Sequence, residues 1–282
     1  MHEQETTHSV RTMARVLKVS ESGYYRWRDA GPGRRELRRS ALTMAVREIH
    51  RESQERYGSP RVYRTLKRRG YRCSLTSVAD IMREAGIRGK ARRRWKATTN
   101  SKHREPVSPN LVPQGTCAIA SNLIWVTDTT FIRTAEGWLY LCVFVDLYSR
   151  KVVGWATSSR NDKELVISAF WSALKSRRPG DGLIIHSDQG STFASRRFRA
   201  LLSASRCSQS MSRRGNCFDN AVCESFFHSL KVELDGDKQY VSRVAARERL
   251  FDYIEGFYNR VRLHSALAYR SPEEFELTAR SA

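Results

Sequence analysis

The chain has 282 residues, 40% of them hydrophobic, with a formal net charge of +21 at pH 7. That length holds one large domain or two to three small ones with real cores, and no apolar run approaches the roughly 18–20 residues that a membrane span needs. A basic helix faced with Trp and Leu is also missing, so the surplus charge is directed at a polyanion, DNA or RNA, rather than at a membrane surface.

The charge is unevenly spread. Residues 1–110 carry 27 Lys and Arg against 11 Asp and Glu, whereas residues 111–282 carry 23 against 18. Six cysteines (Cys73, Cys117, Cys142, Cys207, Cys217, Cys223) lie apart, without a CxxC or a Cys/His pair at ligand spacing. Neither a zinc site nor a disulfide framework is expected. With no signal-peptide pattern at the amino end, the expected location is the cytoplasm, with reduced thiols.

Residues 9–28 carry Met13, Ala14, Val16 and Leu17, a turn at Val19-Ser20, then Tyr24, Tyr25 and Trp27. The pattern predicts two short helices, a helix-turn-helix or a plain helical hairpin. Gly31-Pro32-Gly33 breaks the chain, and Arg34, Arg35, Arg38 and Arg39 follow as a basic linker or helix start. A helix over about 41–51, a break at Tyr57-Gly58-Ser59-Pro60, a helix over 61–69 and a third capped by Ser74 or Thr76 and ended by Gly86 make a second helix-turn-helix. Val62, Leu66, Val78, Ile81 and Met82 supply its core, which leaves Ser77, Asp80, Arg83 and Glu84 on the outer face of the last helix. If this unit reads DNA, that helix enters the major groove and Ser77 and Arg83 reach the DNA.

Residues 88–104 are a basic run that includes Arg92, Arg93, Arg94 and Lys96, read as an arm that orders on nucleic acid. Pro106, Pro109 and Pro113 then mark a boundary.

From Ile124 the pattern becomes α/β. Strands are predicted over 124–132, 138–146 and 151–157, an amphipathic helix over 162–177 with Leu165, Val166, Ala169, Phe170, Ala173 and Leu174 inward, and a buried strand through Leu183, Ile184 and Ile185 that ends at Asp188. A helix near 195–202, a short strand near 207–211 and a helix capped by Asp219 or Asn220 follow. This order of elements is that of a ribonuclease-H-like mixed sheet. There the first and fourth strands are neighbours, so Asp128 and Asp188 meet while Glu224 arrives from the last helix, with Lys231 seven residues on along the same side. Three converging carboxylates repel one another unless a divalent cation neutralises them, and an all-oxygen set suits Mg²⁺ or Mn²⁺. Two such ions would serve an in-line phosphodiester displacement.

Three stretches carry a resemblance: Trp125-Val126-Thr127-Asp128-Thr129-Thr130-Phe131, His186-Ser187-Asp188-Gln189-Gly190-Ser191, and Asp219 to Phe227 around Glu224, with 35 residues between Asp188 and Glu224. Together they resemble the D,D(35)E core of retroviral-integrase-like transposases, more closely the second-frame product (OrfB) of insertion sequences with two overlapping reading frames. Tyr57-Gly58-Ser59-Pro60-Arg61-Val62-Tyr63 is similar to that family's helix-turn-helix, and residues 258–267 with Ser271-Pro272-Glu273-Glu274-Phe275 to its carboxyl-terminal motif.

The resemblance implies a multidomain chain: a helix-turn-helix segment over 1–33, a second over 34–90, a basic linker over 91–115, a catalytic core over 116–240 and a helical extension over 241–282. It further implies that Asp128, Asp188 and Glu224 hold two Mg²⁺ (or Mn²⁺) ions and that Lys231 contacts DNA. The implied reaction is nicking at terminal inverted repeats followed by attack of a 3′-hydroxyl on a phosphodiester of target DNA. A homo-oligomer on DNA, a partner or fusion from the upstream frame, and a bacterial, nucleoid-associated setting are implied as well. Two other readings stay open: a DNA-binding regulator that is inactive without its upstream-frame partner, and a ribonuclease-H-like nuclease.

Other residues receive weaker roles. His186 is read as a packing histidine, Asp146 as the lesser rival of Asp128, and Asn216, Asn220, Asn259, Arg260 and His264 as DNA contacts or structural groups. The tryptophans receive no role.

Overall fold

The computed structural model describes residues 1–90, 106–113, 115–212, 221–234 and 239–280. They divide into two compact units, Met1–Gly89 and Lys90–Ala282.

The first unit is helical: α1 (Val10–Leu17), α2 (Glu21–Asp29), α3 (Arg34–Glu52), α4 (Ser59–Arg68) and α5 (Leu75–Glu84). Serines start three of them. Ser9, Ser20 and Ser74 accept from the backbone N–H groups of Thr12, Gly23 and Ser77, which satisfies donors that a first helical turn leaves orphaned. Val62, Leu66, Val78, Ile81 and Met82 are buried as the apolar spacing predicts, and Val46 and Ile49 of α3 join them. The reading of Arg34 to Arg39 resolves in favour of a helix: α3 begins at Arg34, seven residues ahead of the expected start at 41, because extended Gly33 caps a run of good helix formers. Gly89 lies so close to the backbone of Gly58 that an added Cβ would come within 2.5 Å of its nitrogen.

The second unit is a five-stranded mixed sheet of order β3-β2-β1-β4-β5, made of β1 (Ile124–Thr134), β2 (Gly137–Asp146), β3 (Val152–Ser158), β4 (Ile184–Ser187) and β5 (Ser208–Met211). The first three strands are antiparallel neighbours, and β4 runs parallel to both β1 and β5. Trp125, Phe144 and Val153 face α6 (Lys163–Arg177) and α8 (Arg196–Ala204), where Phe170 and Phe198, with Phe193 from the turn before α8, complete a core. Gly154 permits this closeness, since a Cβ there would stand 2.3 Å from the Ala173 nitrogen of α6. Between β4 and α8 lies the single turn α7 (Ser191–Ala194).

The other face of the sheet meets α10 (Arg243–Phe251) and the π-helical stretch Asp252–Tyr258 that continues it. Trp155 of β3 donates its Nε1 to Glu255 at 2.8 Å. α9 (Ala221–Glu233) packs against β1 and β2, and α11 (Pro272–Arg280) is tied to α6 by a two-pronged bond from Arg177 to Glu276 at 2.6 and 2.7 Å. Among the described residues, no helix is long and apolar enough to cross a membrane.

Candidate active site

β1 and β4 pair in parallel through Ile124–Ile184, Trp125–Ile185 and Val126–His186, and the ladder stops there. Asp128 and Asp188 each stand two residues beyond that last pair, so they lie level on adjacent strands at the carboxyl end of β4. Neighbouring strands are only about 4.8 Å apart. This is the crevice in which an open α/β sheet offers ligand groups.

Both carboxylates are tethered by backbone. Asp128 Oδ1 accepts from Thr129 N at 2.7 Å, and Asp188 Oδ1 accepts from Gly190 N at 2.9 Å. The second bond closes an Asx turn, which fixes the orientation of the Asp188 carboxylate. Burial, then the charge of Asp188 and more weakly that of Glu224, pushes the Asp128 carboxyl up to about 8 from its ordinary 3.8. Thr129 N–H and Lys231 act in the opposite direction. A pair of this kind is a site for added positive charge.

Glu224 sits on an exposed position of α9, and partial burial raises its pKa. Its helix is anchored by Cys223, Phe226, Phe227 and Leu230, all buried. Asp128 and Asp188 form the close pair and Glu224 is within electrostatic reach of Asp128, yet among the described residues no three His, Cys, Asp or Glu side chains gather tightly enough to hold an ion. Lys231, on the same helix, places its Nζ 5.1 Å from the centre of the Phe131 ring.

The lower end of α9 is fixed by groups that the sequence did not single out. Arg262 donates to both oxygens of Glu233 at 2.7 and 2.6 Å and to Ser229 Oγ at 2.9 Å, and Tyr253 donates to Glu233 Oε2 at 3.0 Å. Arg262 and Glu233 are both buried. No local pattern could reveal this pair, whose partners stand 29 residues apart.

His186 is fully buried with Nδ1 2.8 Å from Ser210 Oγ, a packing position between β4 and β5. Asp146 is a structural carboxylate: it accepts from the backbone N–H groups of Asn122, Tyr148 and Ser149 at 2.7 to 3.0 Å. Asn259 is buried and pairs with both the N–H and the C=O of Val152 at 2.9 and 3.0 Å, serving as an extra strand residue beside β3. Arg260 is exposed near Glu273, and His264 packs edge-on against Tyr258. Ser77 lies in the first turn of α5 with its Oγ 2.9 Å from Ser74 Oγ, and Arg83 is exposed and bonded to Asp80. Arg92, Arg93, Arg94, Lys96, Asn216, Asp219 and Asn220 lie outside the described residues.

Residues 119–217 match the model of an integrase core domain, residues 224–278 a second integrase core domain model, and residues 37–95 an HTH-like domain. Asp128 and Asp188 thus fall within the first core match, and Glu224 opens the second. Transposase InsF for insertion sequence IS3A of Escherichia coli (strain K12) is 40% identical over 270 residues, 95% of this chain and 94% of the relative. The chain belongs to the IS3 family of insertion-sequence transposases.

The IS600 uncharacterized 31 kDa protein of Shigella sonnei is likewise 40% identical, over 93% of the transposase and 97% of its own length. The transposase is accordingly a DNA-acting polynucleotidyl transferase, built from an HTH-like domain and an integrase core. Among solved structures, a simian T-cell lymphotropic virus intasome in complex with PP2A regulatory subunit B56 gamma aligns at 17% identity over 82% of this chain and 74% of the other, with a TM-score of 0.48. The HTLV-2 integrase catalytic core domain in complex with magnesium aligns at 17% identity over 56% and 98%, with a TM-score of 0.42. At these scores neither likeness bears on function.

Proposed function

We propose that this IS3-family transposase nicks DNA at the element's terminal inverted repeats and joins the freed 3′-hydroxyl to target DNA, using Asp128, Asp188 and Glu224 as ligands for two Mg²⁺ or Mn²⁺ ions. The observation that carries the reading is the level placement of Asp128 and Asp188 beyond the last β1–β4 pair, with the Asp128 carboxyl raised to about 8. An all-oxygen set of crowded acids suits a hard divalent cation and gives no foothold to a softer metal. When bound there, the ions would activate the attacking oxygen and neutralise charge on the leaving one.

The protein's own groups do the rest. Thr129 N–H and Gly190 N–H each hold one carboxylate oxygen, which aims the other at the ligand site. α9 brings Glu224 to the open side, where a cation would draw it toward the aspartate pair. Lys231 supplies positive charge for a DNA phosphate beside the cut.

DNA is held by the basic amino-terminal half in this reading. α5 presents Ser77 and Arg83 to a groove, and Arg92, Arg93, Arg94 and Lys96 follow as an arm that neutralises phosphates. The reaction is assigned to a homo-oligomer on DNA, joined by the upstream-frame product, in the bacterial nucleoid. A labelled DNA carrying the inverted repeats that flank the gene tests the proposal. With Mg²⁺, the chain alone or fused to its upstream frame should produce nicks and joined ends; if both forms bind these ends without cutting, the reading of the carboxylates fails.

A further inference from the structure

Past Val126 the edge of β1 loses its pairing with β4 while the β1–β2 hairpin continues to Thr134 and Gly137. On this part of the hairpin Phe131 and Trp138 pack edge to face, with ring centres 4.9 Å apart, and remain 47% and 46% exposed. Two half-exposed aromatic rings in contact offer a contiguous apolar patch of the kind that can serve as an interaction site.

Their surroundings indicate what does. Lys231 holds its ammonium over the Phe131 ring, Arg133 is the exposed cross-strand partner of Trp138, and Arg243 donates from Nε to the Trp138 carbonyl. The nearby Glu136 already accepts the Arg243 backbone N–H. Aromatic surface ringed by cations is complementary to a nucleic-acid strand, with phosphates on the cations and a base on the ring.

Phe131 lies three residues beyond Asp128 on the same strand, about 10 Å along it and on its opposite face, and Lys231 links the two, its charge acting on Asp128 while its ammonium lies over the Phe131 ring. We infer that Phe131 and Trp138 form a stacking platform for an unpaired nucleobase of the strand being cut, holding the end of the element open beside the carboxylates. Trp138 supplies the free ring face, and Phe131, braced by Lys231, fixes the indole's angle. The inference rests on the transposase reading of the site and adds the substrate's conformation: a frayed or single-stranded end.

The test compares the full chain with Trp138→Leu and Trp138→Phe on two labelled DNAs with the same terminal repeat, one blunt and one with its last few pairs mismatched. The wild type should prefer the mismatched end by about tenfold, a typical effect of stacking one base on one ring. Trp138→Leu should lose that preference while holding the blunt duplex equally well, and Trp138→Phe should keep most of it. An equal drop on both DNAs, an unchanged preference, or loss of a protein partner with no change on DNA would overturn the platform. Mg²⁺-dependent cutting by the wild type, scored on the same substrates, reports separately on the underlying reading.

Discussion

Gly190 gives its backbone N–H to Asp188 Oδ1 at 2.9 Å, and a Cβ on that glycine would stand 2.9 Å from the same oxygen. Its φ of −67° is open to any residue, so the glycine is required here by space and not by backbone conformation. Gly190→Ala should therefore push the Asp188 carboxylate aside without unfolding the turn. Cleavage should fall by about 100-fold, the usual cost of a misplacement near 1 Å at a reacting centre, with DNA affinity unchanged. Cleavage kinetics and a DNA titration check this, and wild-type cutting by the alanine variant would contradict it.

A second prediction concerns Asp128. In the metal-free protein burial and Asp188 raise its pKa to about 8, so between its ordinary value of 3.8 and that point the folded chain holds a proton that the unfolded chain has lost. This group's contribution thus weakens stability as pH rises through that window. A cation must displace the proton, so Mg²⁺ binding should strengthen by up to about tenfold per pH unit over the same range and level off above about 8. Thermal unfolding with and without Mg²⁺ between about pH 6 and 8 should show a growing stabilisation that Asp128→Asn abolishes. A metal effect that is flat across that range would contradict the assignment.

The third follows from the buried Arg262–Glu233 pair beneath α9. Burial opposes the charge on Arg262, but its bonds to Glu233 prevail and its pKa is raised. Arg262→Leu leaves the Glu233 carboxylate buried without its main partner, a loss of about 3–5 kcal/mol in the unfolding free energy. Adding Glu233→Leu to it should restore much of that stability, because the second charge is then gone. Urea unfolding of the single and double variants decides, and a single variant within about 1 kcal/mol of wild type would show that the pair is not a clamp.

These predictions also mark what the sequence could tell. The β1 strand, the strand end at Asp188 and the helix of Glu224 were legible because alternation and helical spacing are local signals, and their pairing follows from the order of elements. The early start of α3 has no unique local signal, since four arginines close together read equally well as a linker and as a helix start. Asn259 and Arg262 carried no signal for their structural roles: their partners, Val152 and Glu233, stand 107 and 29 residues away. Phe131 and Trp138 carry no local signal for a shared surface, because their exposure comes from the hairpin running past its parallel neighbour.

The most direct test of the account is Glu224→Gln in the full chain, assayed for end binding and for Mg²⁺-dependent cutting on the same labelled DNA. The substitution removes one negative charge with little change of shape at an exposed position of α9. DNA affinity should stay within about twofold of wild type, since it is carried by Lys and Arg that neutralise phosphates and not by a carboxylate, while nicking and joining disappear. Cutting that persists, or binding that falls together with it, would contradict a catalytic role for Glu224.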